Sequence, residues 1–257
     1  MGASTTDVSE IAHRLTKARL DRRAVAPISD EYPAMDLAMG YAVQRLLRDD
    51  AGPQTGWKLG VTSRAKQQQV NVDEPIRGFL AEEHMLDIGE PLEVGAHIQP
   101  RCEPEVVFVL SRDLQGASVT TSQVLDATRG VAVGIEVLDS RFLDYRFTMP
   151  DVVADNTSAG RFVMGPLVPV ERLDLRLVGV VLEHRGEVVA TAAGAAALGH
   201  PAAAVAWLVR SLAADGEGLK AGDIVLSGGL TAAVPVVAGD VVVATIDRLG
   251  VLELACR

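Results

Sequence analysis

The chain has 257 residues, 48% of them hydrophobic and 23% charged, with a formal net charge of -10 and two cysteines. That length is enough to bury a substantial core in one large domain or two small ones, and the negative charge argues against nucleic acid or an anionic membrane as the main partner. Cys102 and Cys256, with no C-x-x-C, exclude a disulfide framework and a thiolate zinc site and fit a reducing, cytoplasmic setting.

The N-terminus has neither the basic nor the apolar region of a signal peptide, and no uncharged apolar run reaches the ~18 residues of a spanning helix. Met1 to Thr6 meets the loose myristoylation pattern, which one glycine and one threonine are enough to satisfy. Asp7 and Glu10 start a first helix whose Val8, Ile11, Leu15 and Ala18 share a face, with basic residues from Lys17 to Arg23 near its end. A second helix follows the Pro33 turn, with Met39, Val43, Leu46 and Leu47 at helical spacing until Asp50 and Gly52 close it. These make a helical N-terminal arm, residues 1–52. From 53 to 257 short strands and glycine turns dominate, with helical interruptions expected at Ser63–Val70, Thr121–Arg129 and, most clearly, His200–Ala214, which buries Val205, Leu208 and Leu212. Val178–Glu183 and Glu187–Thr191 flank a hairpin turn, and Asp223–Leu226 leads into Gly228-Gly229. The class is strand-dominated α+β, and no linker divides it.

The chemistry concentrates at Gln99–Leu110. Val106 to Leu110 reads as a buried strand, and side chains two apart on a strand leave the same face, so Glu103 and Glu105 point together while Cys102 and Pro104 face away. Converging carboxylates at a buried strand need a shared proton, a basic partner or a divalent cation; the alternative is a solvated strand edge. Glu136, inside the apolar run Gly134–Leu138, is a third candidate, and Asp139, at odd spacing from it, falls on the other face. Oxygen ligands alone suit magnesium or manganese rather than zinc, and none of the five histidines has metal-ligand spacing. Lys58, a lone cation among apolar residues and glycines, is the best candidate for moving a proton, with a snorkelling structural lysine as the alternative. Asp151–Arg161 is polar and small-residued, so Asp155, Asn156 and Ser158 line a pocket or make a turn. The loop Gly228–Thr231 offers backbone N–H groups as a cradle for a carboxylate.

Five stretches in order, GWKLGVTS (56–63), PRCEPEVVFVL (100–110), GIEVLDSR (134–141), DVVADNTSAGR (151–161) and LSGGLTAAVPVVAGD (226–240), resemble the fumarylacetoacetate hydrolase superfamily, in its branch of hydratases and decarboxylases acting on small 2-oxo acids. The resemblance implies a mixed β-roll with a helical N-terminal region. It also implies magnesium or manganese on Glu103, Glu105 and Glu136, a catalytic Lys58 and no organic cofactor. Hydratases of this branch carry an aspartate where this chain has Ile76, which favours decarboxylation of 2-oxohex-3-enedioate over hydration of 2-hydroxypenta-2,4-dienoate; Asp73 and Glu74 lie close enough to serve as a shifted acid. On this reading Arg161 holds the distal carboxylate and Ser158 joins Lys58 and Arg161 as catalytic, while Ile76, Asn156, Gly229 and Thr231 contact substrate. An assembly of like subunits, and a complex with a related hydratase in which this chain is the weakly active partner, complete what the resemblance suggests.

Overall fold

The structure, a computed structural model, describes residues 5–63, 67 and 74–257. Asp73, most of the helix expected at Ser63–Val70 and most of the myristoylation pattern lie outside them. The arm consists of α1 (Thr5–Asp21) and α2 (Leu37–Asp50). Asp36 starts α2 by accepting a 2.8 Å hydrogen bond from the Met39 N–H, which satisfies an otherwise orphaned amide. Ile11 and Leu15 of α1 and Met39 and Val43 of α2 pack with Ile28, Phe142 and Ala154. Phe142 and Ala154 lie beyond the arm, so the arm shares this core with the β-rich part.

The remaining elements are β1 (Gln54–Gly60), β2 (Ile76–Ala81), β3 (Arg101–Leu110), α3 (Thr121–Ala127), β4 (Thr128–Leu138), α4 (Met149–Ala154), β5 (Ala159–Met164), β6 (Gly179–His184), β7 (Glu187–Ala193), α5 (Pro201–Ala214), β8 (Ile224–Leu226), β9 (Val234–Pro235), β10 (Val241–Ile246) and β11 (Gly250–Ala255). One sheet runs β2-β1-β8-β3-β4-β5 with β9 paired to the start of β3, and a second runs β11-β10-β6-β7. Two boundaries differ from expectation. The helix expected to reach Arg129 ends at Ala127, where the Thr128 hydroxyl donates to the Val124 carbonyl at 2.7 Å and β4 begins. Asp151–Arg161 is not simply a turn between strands, because α4 occupies its first four residues; Thr148 and Asp151 form a capping box there.

Registry divides the first sheet into two faces. Directly paired residues share a face, so Lys58, Gly78, Leu226, Val107, Ala132, Glu105, Gly134, Glu103, Glu136 and Phe162 all lie on one side. Trp57, Phe79, Val225, Cys102, Phe108, Val133 and Val137 lie on the other, in the main hydrophobic core with α5 and the second sheet. The sheet curls: beyond β2, Met85 and Leu86 pair with Phe162 of β5, and Leu80, Val107, Ala132, Phe162 and Leu226 meet inside the roll. The inside is narrow, and small residues make it passable. A Cβ on Gly134 would stand 2.4 Å from the Val107 side chain, and one on Gly78 would stand 2.8 Å from Asn156 and 3.2 Å from the Lys58 side chain.

The segment after β4 is locked to the segment before β5 by Arg141 and Asp155, both buried. The Arg141 guanidinium donates to the Asp155 carboxylate and carbonyl, to the Asp139 carbonyl at 2.7 Å and to the Ala159 carbonyl at 2.9 Å. Burial pushes the Asp155 carboxyl up to about 6, with Arg141 pulling the other way. Removing the cation strands a buried carboxylate. We expect Arg141→Met to cost about 3–5 kcal/mol of stability by chemical denaturation; a loss no larger than that of a surface substitution would show that the lock is not structural.

Candidate active site

Strand alternation on β3 and direct pairing to β4 bring three carboxylates together inside the roll. Glu103 stands opposite Glu136, and Glu105 stands opposite Gly134, where no side chain competes for the space. One ligand atom from each glutamate lies within 4.8 Å of the others, and the three residues are 4%, 0% and 1% exposed in chain order. The solvated-edge alternative is thereby removed. Burial, then Glu136 and Glu103, hold the Glu105 carboxyl well above the usual carboxylate range. Burial raises Glu136 too, with Lys58 opposing.

Lys58 is not the lone cation its sequence context suggested. Its ammonium lies 2.8 Å from Glu136 Oε1, and both side chains are almost wholly buried. It also donates to the Thr157 carbonyl at 2.8 Å. That carbonyl is aimed by an unusual turn: Asn156, Thr157 and Ser158 have φ of 48°, 53° and 55°, three consecutive left-handed residues without a glycine. Such conformations cost energy and persist only where the surroundings enforce them. Here the Asn156 side chain pairs with Phe79 in both directions, N–H to Oδ1 at 2.8 Å and Nδ2 to carbonyl at 3.0 Å, and Thr157 Oγ1 donates to the Arg77 carbonyl at 3.0 Å.

The late loop meets the carboxylates through its backbone. The Gly228 N–H donates to Glu105 Oε2 at 2.7 Å, and a Cβ on Gly229 would fall 2.1 Å from the Glu103 carboxylate carbon. The expected carboxylate cradle exists, and the carboxylate it holds is Glu105. Two oxygens remain over. Glu105 Oε1 and Glu136 Oε2 are buried with no hydrogen-bond partner among the described residues. Such atoms are expensive unless something occupies them, and an all-oxygen set with three carboxylates suits a hard divalent cation. The residues present fit magnesium or manganese.

A cleft of about 380 Å³ opens beside this centre, lined by Lys58, Glu103 and Arg101 together with the apolar Ile76, Phe147, Met149 and Val152. Thr157 and Ser158 line it as well. The Ser158 hydroxyl donates to Asp155 at 3.3 Å, and Thr231 Oγ1 donates to the Ala232 carbonyl at 3.0 Å. The Asn156 amide, occupied with Phe79, supports the turn. Arg161 lies elsewhere. It is paired with Val137, on the face opposite Glu136, and lines a separate hollow of about 60 Å³ with Arg19, His84, His97 and Arg141. The cleft therefore draws its second cation from Arg101, which sequence reading passed over although it continues the alternation of Glu103 and Glu105 by one step. The Thr157 carbonyl was also missed, since a backbone group carries no residue-type signal, whereas the glycines at 228 and 229 did mark the late loop's amides.

The Fumarylacetoacetate (FAA) hydrolase C-terminal family model matches residues 55–256. The chain belongs to the fumarylacetoacetate hydrolase family. A family member named 4-oxalocrotonate decarboxylase, from Pseudomonas sp. (strain CF600), is 40% identical over 255 residues, 97% of this chain and 96% of the relative. A 2-keto-4-pentenoate hydratase of Paraburkholderia xenovorans (strain LB400) is 40% identical over 247 residues, 94% of this chain and 91% of the relative. The solved 4-oxalocrotonate decarboxylase from Pseudomonas putida G7, complexed with magnesium and adipate, superposes with a TM-score of 0.96 at 36% identity, covering 100% of this chain and 99% of that one. The β-roll is thus the part matched by the family, and the helical arm is shared with the solved decarboxylase, which superposes over the whole of this chain.

Two substitutions probe the centre. Glu105→Gln keeps shape and removes charge, so the metal-free protein should melt higher while magnesium no longer raises its melting temperature; an undiminished magnesium shift would remove Glu105 from the site. Gly229→Ala drives a methyl into Glu103, and calorimetry should show weakened magnesium binding in a protein whose circular dichroism is unchanged.

Proposed function

We propose that the protein is a divalent-metal-dependent lyase that decarboxylates 2-oxohex-3-enedioate to 2-hydroxypenta-2,4-dienoate. The supporting observation is the buried glutamate trio with two unpartnered oxygens beside a cleft that Ile76 also lines. Glu103, Glu105 and Glu136 would hold magnesium or manganese, and the bound cation would supply Lewis-acid stabilisation of negative charge developing on the 2-oxo acid.

The chain's own residues account for the rest. Two of the three ammonium protons of Lys58 are directed at Glu136 and Thr157, which fixes Nζ at the cleft and leaves one N–H for substrate. As carbon dioxide leaves, its electron pair passes through the alkene to the keto oxygen, and Lys58 provides a proton for that oxygen to give the dienol. Ile76, Val152, Phe147 and Met149 line the same cleft, so the carbon dioxide, neutral once released, meets apolar side chains on its way out. Ser158, tied to Asp155, keeps the cleft edge in shape, Gly229 brings the late loop against Glu103, and Thr231, next to the cleft-lining Ala232, contacts substrate.

The hydratase reading has one specific observation in its favour, the hydratase relative at 40% identity. Against it, Ile76 cannot deliver the proton that hydration needs at carbon, and Glu74 is exposed. Assembly with like subunits or with a related hydratase, and a cytoplasmic setting, belong to the same reading; among the described residues no helix is long and apolar enough to cross a membrane. So does the division into an arm, 1–52, and a β-rich unit, 53–257, which the shared core around Phe142 supports as one structural unit.

The magnesium-loaded protein should release carbon dioxide from 2-oxohex-3-enedioate faster than it converts 2-hydroxypenta-2,4-dienoate to 4-hydroxy-2-oxopentanoate, both followed in parallel. Hydration without carbon dioxide release would overturn the assignment. Lys58→Met should lower turnover by about 10² to 10⁴ while magnesium still binds, and a loss below about threefold would return Lys58 to a structural role.

A further inference from the structure

We infer that Arg101, stacked on Tyr145, is the residue that selects dicarboxylates over monocarboxylates in this cleft. The inference rests on the reading above in that it takes a 2-oxo acid to be held at the glutamate centre.

The argument begins with register. Inner-face pairs along β3 and β4 run Glu105 with Gly134, Glu103 with Glu136, then Arg101 with Leu138. Arg101 therefore stands one same-face step, about 6.6 Å of strand, beyond Glu103, and both Arg101 and Leu138 line the cleft. A six-carbon 2-oxo diacid bound by its 2-oxo acid end at the glutamates carries its second carboxylate away from them, and a cation one step outward meets it. Among the described residues Lys58 is the other cation lining the cleft, and its carboxylate partner is Glu136.

Arg101 is also prepared for the role. Its guanidinium carbon lies 3.9 Å from the centroid of the Tyr145 ring, so the flat face of the cation is held by the aromatic ring. Tyr145 is itself anchored, its hydroxyl donating to the Gln99 carbonyl at 3.1 Å. A stacked guanidinium keeps its N–H groups at its edge, where a carboxylate binds in a fork. No hydrogen bond or ion pair occupies that edge among the described residues. The contrast with other arginines is direct: Arg77, stacked over Tyr41, donates to Ser211 and Asp215, and Arg141 is fully engaged by Asp155 and two carbonyls.

An ion pair to the departing carboxylate stabilises the bound dianion more than neutral carbon dioxide, so it acts on capture and orientation rather than on the barrier. Loss of Arg101 should therefore appear in KM and in ligand affinity, with kcat little reduced.

The test is calorimetric and needs no turnover: magnesium-loaded protein is titrated with 2-oxohexanedioate and, separately, with 2-oxohexanoate, which lacks the second carboxylate. Wild type should prefer the diacid by roughly 10- to 100-fold, the range expected for hydrogen bonds to a charged group. Arg101→Gln should abolish that preference while leaving affinity for the monoacid in place, and Tyr145→Leu should reduce the preference by freeing the side chain. A wild-type protein without preference, a preference that survives in Arg101→Gln, or an equal loss of both ligands in a variant that still binds magnesium would each overturn the inference while leaving the lyase reading standing. Binding of neither ligand by the wild type would overturn both. If Arg101→Gln fails to fold, the wild-type ratio and Tyr145→Leu still decide the question.

Discussion

Three carboxylates buried in one narrow space repel each other and lose their hydration, and much of the inner face of the roll is arranged around that conflict. A basic partner, protonation and a cation were the three remedies open to such a cluster. The first is present, because Lys58 pairs with Glu136. The second is open to Glu105, whose carboxyl is held well above the usual carboxylate range by burial and by Glu136 and Glu103 beside it. The third is implied by the carboxylate oxygens that neither lysine nor backbone reaches.

The same conflict explains features that look unrelated in the chain. Glycine stands opposite Glu105, beside Lys58 and against Glu103, because a Cβ at Gly134, Gly78 or Gly229 would collide with the inside of the roll. The left-handed turn at Asn156–Ser158 is tolerated because it presents a carbonyl to an ammonium that would otherwise be short of acceptors. Behind it, the Arg141–Asp155 lock and the Asn156 pairing with Phe79 keep that carbonyl in place. Stability is thus spent on holding a site whose charges do not balance by themselves, as is common where a ligand completes the structure.

Much of this was legible from residue alternation. Period-two spacing put Glu103 and Glu105 on one face, and an acid within the apolar run Gly134–Leu138 marked Glu136, because a strand buried on both sides leaves an ionised group no solvent to face. Apolar stripes marked α1, α2 and α5. What escaped was set by tertiary contact. Lys58 looked solitary because Glu136 is far away in sequence. Arg161 was placed with the substrate since it ends the polar motif, yet its register with Val137 puts it on the face opposite Glu136. Arg101 obeyed the alternation that located the glutamates and was missed because a basic residue at a strand start is usually a solvated one. The short helix α4 carried a capping signal at Thr148 and Asp151 that the polarity of the following residues obscured.

Burial and its two glutamate neighbours make Glu105 hold its proton more tightly than an exposed glutamate does, and a divalent cation bound at the cluster must displace that proton. The carboxyls raised by burial keep their protons into a pH range where an exposed glutamate is bare, and a cation binds only the bare form. Affinity must then fall as pH is lowered, and binding must release protons. Calorimetric titration of magnesium into the metal-free protein near neutral pH, repeated in buffers of different ionisation enthalpy, measures that release directly. Net proton release, growing as pH falls, is the result predicted here; binding with no proton exchange and no pH dependence would contradict it.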